Sequence, residues 1–410
     1  MLREHVMAKA SGTWLKTRLA SVILIVTVFL AAVSVSFFFL NQTQSQTVNS
    51  EKRYVGVAFC GNTTEEAKLL IDRVKNYTNL LVLQSGPVSW NETATNEICD
   101  YTVQAGLSIM VYFGDLNPRV LPNETSWRVD WVSSAKDQWG SRLLGVYYYD
   151  EPGGIYLDCN WKETIKAFVS NSTYDSFVSN RDYDLAAEHF IGNIRTDPGC
   201  LLLKEYNISI FVSDYALYWF DYLAGYDVVL AEVGWNHSLP QDIALLRGAA
   251  RLQNNDWGVI VGWKYTLPPY LDTGENIYNQ MVYAYRAGAT YIVIFNYPQL
   301  DGNTYGIMTD EHFEALERFW NDIVKNQTVI DEETKAEAVL VLPKNYGWGM
   351  RYPDDRIWGH WGPDEKSPLI WTLSRRLLDQ YGFRLDIVYD DARFPVESKY
   401  ARVYYWNQTT

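Results

Sequence analysis

Histidine, cysteine and positive charge are all scarce in this chain, and each shortage removes a class of chemistry. The five histidines (His5, His189, His237, His312 and His360) include no His-x-His and no His-Glu-x-x-His. The ligand sets of metal-dependent barrel hydrolases are therefore missing. Four cysteines (Cys60, Cys99, Cys159 and Cys200) contain no Cys-x-x-Cys, which leaves zinc and dithiol redox chemistry without support. A net charge of −14 argues against nucleic acid as a partner, because a nucleic-acid surface needs a basic footprint. Neither a Gly-x-Ser-x-Gly elbow nor a phosphate loop is present, and Tyr352 stands where Gly347-x-Gly349 would need its third glycine to bind a dinucleotide. No cofactor and no metal are expected.

Apolar and aromatic residues are plentiful. The 410 residues are 48% hydrophobic, with 16 Trp and 30 Tyr, enough for one large domain and a smaller one. Flat aromatic side chains in surplus also suit the apolar C–H faces of sugar rings.

The first 40 residues read as a membrane anchor. Residues 1–18 form a basic tail carrying Arg3, Lys9, Lys16 and Arg18, and Leu19 to Leu40 is uncharged and apolar. As a helix that run spans about 33 Å, enough to cross a bilayer. The basic flank stays inside, which puts the linker 41–52 and everything after it on the extracytoplasmic face. A cleaved signal peptide is the rival reading, opposed by the length of the run and by Phe37, Phe38 and Phe39 at its end. Asn-x-Ser/Thr occurs at Asn41, Asn62, Asn76, Asn91, Asn123, Asn171, Asn207, Asn236, Asn326 and Asn407. Chance supplies roughly three among this many asparagines, so the set points to an exported glycoprotein. In that compartment the four cysteines allow three disulfide pairings. Proximity favours Cys60 with Cys99 and Cys159 with Cys200, against the alternative of free buried thiols.

From residue 53 short β-branched runs alternate with longer amphipathic ones, the rhythm of βα units. The expected strands are Tyr54–Phe59, Asn79–Gln84, Leu107–Phe113, Leu143–Tyr149, Ile208–Ser213, Asp227–Val233, Trp257–Trp263 and Thr290–Asn296. Eight such strands predict a TIM-type (β/α)8 barrel over 53–330, with an open doubly wound sheet as the alternative. The rhythm breaks between strands four and five, where an insertion holds Cys159, Cys200 and a polar stretch. Residues 331–410 predict a small α/β C-terminal domain containing a Gly/Trp-rich loop with Trp348, Trp358 and Trp361. One of these tryptophans is a candidate to pack over the barrel mouth.

In a barrel the strand ends converge on one face. Strand two ends at Gln84 and three at Asp115. Strand four closes Tyr147-Tyr148-Tyr149 with Asp150-Glu151-Pro152-Gly153-Gly154, and five ends at Asp214. Strand six carries Glu232 before Gly234-Trp235, seven gives Trp263-Lys264-Tyr265, and eight Asn296-Tyr297. Acids, amides and aromatics in one cleft suit glycoside cleavage, which needs one protonated carboxyl and one carboxylate. Adjacent carboxylates also raise each other's pKa and so favour keeping one protonated.

Tyr149-Asp150-Glu151-Pro152 resembles the strand-four end of glycoside hydrolase barrels. One large clan has Asn-Glu-Pro there, with the Glu as acid/base; other families have an Asp-Glu pair, in which the Asp steers a substrate 2-acetamido group. Gly288-Ala289 before the last strand is similar as well. The resemblance spans residues 53–325 at the level of architecture and one short motif. It departs at strand seven, where the clan's nucleophilic Glu is replaced by Trp263-Lys264-Tyr265. It implies Glu151 as general acid. The missing partner is then sought in Glu232 on strand six, as nucleophile or base, with Asp150 as modulator, or in a substrate-assisted mechanism through Asp150. Asp115, Asp214, Trp235, Trp263, Lys264, Tyr265, Asn296 and Tyr297 are the candidate glycan contacts, and a non-catalytic glycan-binding or structural barrel is the rival.

Overall fold

The computed structural model describes residues 53–164, 171–326 and 335–408. Its elements are β1 (Tyr54–Phe59), α1 (Thr64–Val74), β2 (Leu80–Leu83), α2 (Gly86–Ser89), α3 (Glu92–Gln104), β3 (Ser108–Phe113), α4 (Trp127–Trp139) and β4 (Leu143–Tyr148). Then follow α5 (Pro152–Asp158), α6 (Trp161–Thr164), α7 (Asn171–Asn180), α8 (Tyr183–Arg195), α9 (Pro198–Glu205), β5 (Ile210–Asp214), α10 (Tyr218–Ala224), β6 (Val228–Val233) and α11 (Leu239–Gln253). The chain closes with β7 (Asp256–Val261), α12 (Gly274–Arg286), β8 (Tyr291–Ile294), α13 (Asp310–Phe319), β9 (Ala338–Leu342), α14 (Ser367–Tyr381), β10 (Leu385–Tyr389) and β11 (Arg402–Tyr405).

Strands β1 to β8 form a closed barrel in chain order, and β8 returns to β1 in parallel with Tyr54 opposite Tyr291. Closure excludes the open doubly wound sheet. Side chains alternate between two cores, as the period of two in a strand requires. Ala58, Leu80, Val82, Met110, Phe211, Val228, Leu230, Ile260 and Val293 fill the barrel interior. Val57, Leu81, Val111, Val212, Val229, Val259 and Ile292 face outward against the helices. Local signals begin the helices: Thr63 and Glu66 make a capping box before α1, and at α13 the Thr309 N–H donates to His312 Nδ1 at 2.9 Å.

The cysteine expectation is overturned, because all four thiols are free. Cys60 ends β1 inside the barrel, whereas Cys99 on α3 belongs to the outer core, so the sheet wall stands between them. Cys159 caps α5 and lies 3.1 Å from Thr164 Oγ1, and Cys200 is buried on α9. Among the described residues no helix is long and apolar enough to cross a membrane. The basic tail 1–18, the expected anchor 19–40 and most of the linker 41–52 with Asn41 lie outside them.

The insertion between β4 and β5 is helical. α8 is capped by Asp182, whose side chain accepts the Leu185 N–H, and buries Ala186, Ala187, Phe190 and Ile194 on one face. The tryptophans of the Gly-rich loop pack against this region and do not cover the mouth, which corrects the expectation for them. Trp348, Trp358 and Trp361 are all buried. Trp358 sits 4.5 Å from the Phe220 ring and 5.9 Å from Phe190, and its indole N–H donates to Asn345 O at 2.8 Å. The Trp361 N–H donates to Val178 O at 2.7 Å. Sheet β10-β9-β11 is parallel and is tied to α11 by Arg247, which lies 2.7 Å from Asp386, itself bonded by Tyr400 Oη at 2.8 Å.

Gly347 shows how tightly this loop is packed. A Cβ built there would lie 2.3 Å from the Trp358 ring, which has no room to retreat. Gly347→Ala should therefore destabilise the protein by about 1–3 kcal/mol. Thermal unfolding checks this, and an unchanged midpoint would show that the indole can move.

Candidate active site

The period of two that fills the barrel also builds the floor of its mouth. Two residues beyond inward-facing Val82, Met110, Phe211, Leu230, Ile260 and Val293 come Gln84, Tyr112, Ser213, Glu232, Gly262 and Phe295. Gln84, Asp150, Glu151, Glu232, Ile260, Gly262, Trp263 and Phe295 line a cleft of about 130 Å³ at the strand C-termini. All three expected catalytic carboxyls therefore come together. Gln84 and Phe295 were readable by counting in twos from the core, as was Ser213.

The strand-four turn is strained in a way that aims its acids. Tyr149 and Glu151 have φ of 62° and 50°, a left-handed conformation costly for residues with a Cβ. Hydrogen bonds hold it. The Glu151 N–H donates to Ser213 O at 3.0 Å. Tyr148 and Tyr149 both donate their hydroxyls to Asp197 at 2.8 Å, and Asp197 also caps α9. Tyr147 points inward and is bonded to Asp150 and, at 2.6 Å, to Ser213.

Asp214 lies under this turn, away from the cleft. It is fully buried, and its oxygens accept N–H groups from Gly153 at 2.5 Å, Gly154 at 2.8 Å, Tyr215 at 2.7 Å and Ala216 at 3.2 Å. A Cβ on Gly153 would lie 2.9 Å from Asp214 Oδ2, so the glycine is what lets the backbone reach it. Asp214 is thus a positioning residue and not a sugar contact. Buried Asp221 lies near it and has no hydrogen-bond partner among the described residues, and Asp214 is pushed up to about 7, raised by burial and lowered partly by its four N–H donors. Burial, and then the Asp214 charge, push Asp221 far upward, so Asp221 keeps its proton.

The sign of the resulting pH dependence follows. A carboxyl whose folded pKa is raised contributes stability in full below its ordinary value near 4, and for Asp221 this is lost progressively as pH climbs above that value toward its raised folded one. Asn at 221 does not titrate. Asp221→Asn should melt about 2–5 °C above the natural protein at pH 8 and flatten the dependence between pH 5 and 8. Identical pH slopes for the two proteins would contradict the proton held on Asp221.

In the cleft itself, Ser213 Oγ donates to Glu232 Oε1 at 2.6 Å and lies 3.4 Å from Asp150 Oδ1. Glu151 lines the same cleft. Burial first, then the charges of Glu151 and Asp150, hold the Glu232 carboxyl well above the usual range. Glu232 therefore keeps its proton. Asp150 is pushed up to about 6, by burial more than by Glu151, while its bond from Tyr147 opposes the rise. Among the described residues Lys264 makes no ion pair with Glu232.

Aromatic rings wall the β6–β8 side. Trp235 and Trp263 lie nearly parallel with centroids 6.4 Å apart, Trp263 is 5.8 Å from Tyr297, and Phe295 is stacked on Tyr297 at 6.1 Å. Lys264 and Tyr265 line a neighbouring groove with Trp235. Two expected contacts lie elsewhere. Asp115 forms a turn, accepting the Asn117 N–H at 2.7 Å, and does not line the cleft. Asn296 is buried and its Oδ1 accepts the N–H groups of Ile307 and Met308 at 3.0 and 3.2 Å. Both are loop anchors. Among the described residues no group of three or more His, Cys, Asp or Glu could hold a metal ion.

No protein-family model matches the chain, and no curated protein matches its sequence. Its likenesses are to solved structures. α-L-Fucosidase isoenzyme 2 from Paenibacillus thiaminolyticus is 10% identical, with a TM-score of 0.48 over 83% of this chain and 58% of that one. A spore coat polysaccharide biosynthesis protein from Bacillus subtilis is 10% identical, with a TM-score of 0.39 over 70% and 74%. The 3-keto-L-gulonate-6-phosphate decarboxylase of Vibrio cholerae is 11% identical, with a TM-score of 0.35 over 66% and 99%. Likenesses this distant carry no argument about what the chain does.

Proposed function

We propose that the protein is a membrane-anchored, extracytoplasmic glycoside hydrolase that works through the carboxyls of its barrel mouth. The observation that carries this reading is the gathering of Asp150, Glu151 and Glu232 in one cleft walled by Trp263 and Phe295. Glycoside cleavage needs one carboxyl that keeps its proton at neutral pH and another that does not. Glu232 is the carboxyl held protonated, so we assign it the acid role, with Glu151 as nucleophile or base and Asp150 as the modulating neighbour. This exchanges the roles expected from the sequence. The extracytoplasmic setting is supported by the sequons: Asn62, Asn76, Asn91, Asn123, Asn207, Asn236, Asn326 and Asn407 are all exposed.

A glycan-binding barrel without turnover is favoured by one feature, that the cleft holding Asp150, Glu151 and Glu232 has a volume of only about 130 Å³. A screen of glycan substrates with the natural protein and Glu151→Gln separates the two. Hydrolysis by the natural protein that Glu151→Gln abolishes supports the enzyme. Binding without hydrolysis by either protein supports the rival.

A further inference from the structure

Beside the cleft runs a second, larger groove of about 520 Å³, bordered by Trp235, Asn236, Lys264, Tyr265, Leu267 and Pro268. Its size is that of a small-molecule site. The two are neighbours through Trp263, which lines the cleft, while Trp235 and Lys264 on either side of its backbone partners line the groove. The walls are preformed. The Trp235 N–H donates to Trp263 O at 2.8 Å, and the N–H groups of Lys264 and Tyr265 both donate to Tyr270 O, at 2.7 and 2.9 Å. Trp235, Tyr265 and Leu267 are nevertheless 40%, 44% and 71% exposed, an apolar surface of the kind that marks an interaction site.

Lys264 is what gives the groove a sign. Among the described residues its ammonium has no hydrogen-bond or ion-pair partner, although the chain carries 49 acidic residues against 35 basic ones. Arg351, by contrast, is bracketed by Asp158 and Asp355, each at 2.8 Å. The cleft next door holds Asp150, Glu151 and Glu232 and would repel an anionic group. Lys264, next in the chain to Trp263 of the cleft wall, would attract one.

We propose that this groove binds an anionic sugar residue, a uronate, adjacent to the glycosidic bond held in the cleft. Its carboxylate meets Lys264 and its ring lies on Trp235. The inference rests on reading the cleft as a glycoside-cleaving site, and it makes the substrate an acidic polysaccharide. Charge on the cleft side and charge on the groove side are opposite, so the pair of sites also sets the direction in which such a chain lies.

The test is a binding comparison in the full chain carrying Glu151→Gln, so that no probe is consumed. Uronate-containing oligosaccharides are titrated against their carboxyl-reduced, neutral counterparts, with tryptophan fluorescence and calorimetry as readouts. The acidic probes should bind about tenfold more tightly, as a charge-assisted hydrogen bond provides. That preference should shrink as salt rises and vanish in Lys264→Gln. The neutral probes should bind Lys264→Gln and its parent alike, which shows the groove intact. Equal affinity for both probe sets, a preference that survives Lys264→Gln, or no binding of either set would overturn the proposal. Failure of the cleft reading would look different, as hydrolysis by the natural protein left unchanged by Glu151→Gln.

Discussion

Glu232→Gln is expected to lower kcat on an unactivated glycoside about 1,000-fold, within the range for loss of a general acid or base, while sparing aryl glycosides. A good leaving group departs without a proton, so only substrates with poor leaving groups need the Glu232 carboxyl. Gln keeps the shape and the hydrogen bond from Ser213 but has no acidic proton to give. Glu151→Gln should abolish turnover of both substrate types, because the nucleophile or base serves every leaving group. The pH profile should be bell-shaped. Asp150, titrating at about 6, shapes the acid limb, and Glu232, held protonated by burial and by its two acidic neighbours, shapes the alkaline one. Steady-state kinetics on paired alkyl and aryl substrates check all of this. Were Glu151→Gln to spare the aryl glycosides and Glu232→Gln not, the roles would be the reverse of those assigned. Were both variants fully active, the cleft would not be the site of chemistry.

The largest effect on stability is expected from Asp214→Ala, a loss of about 3–5 kcal/mol. That is a substantial part of what a domain has in total. The substitution leaves the N–H groups of Gly153, Gly154, Tyr215 and Ala216 without their acceptor. Because Gly153 and Gly154 follow Glu151 directly, the turn that aims Glu151 should loosen as well. Denaturant unfolding measures the first effect. The second appears as a lower kcat at temperatures where the variant is still folded. An unfolding midpoint close to that of the natural protein would show that water replaces the carboxylate, and that Asp214 does not hold the turn.

Much of the barrel was legible because its strands obey simple patterns. The expected Tyr54–Phe59 coincides with β1, and the other seven barrel strands are found within two residues of their expected boundaries. Each is a β-branched run bounded by turn residues, and parallel strands buried on both faces need little else. The insertion was less legible. Its polar stretch hides the apolar face of α8, and Phe190 becomes a core residue only when Trp358, far along the chain, packs on it. Long-range packing likewise buries Trp348, Trp358 and Trp361, one of which the Gly-rich loop had suggested for the barrel mouth. The cysteines misled for a related reason. Nearness in sequence says nothing about which side of a sheet a thiol faces.

The sequence by itself determined the eight βα units and the strand ends that carry Asp150, Glu151 and Glu232. Closure of the sheet was decided by the tertiary structure, and closure brings those ends to one mouth. The roles of individual acids were decided there too. Asp214 and Glu232 each end or nearly end a strand, and the parity that separates them shows only against the inward-facing core. One falls on the outward parity and is consumed by four backbone N–H groups. The other falls on the inward parity, beside two carboxyls and a serine, where desolvation and like charge keep its proton in place. Protonation is a property of the assembled neighbourhood, and that neighbourhood comes from β4, β5 and β6 together.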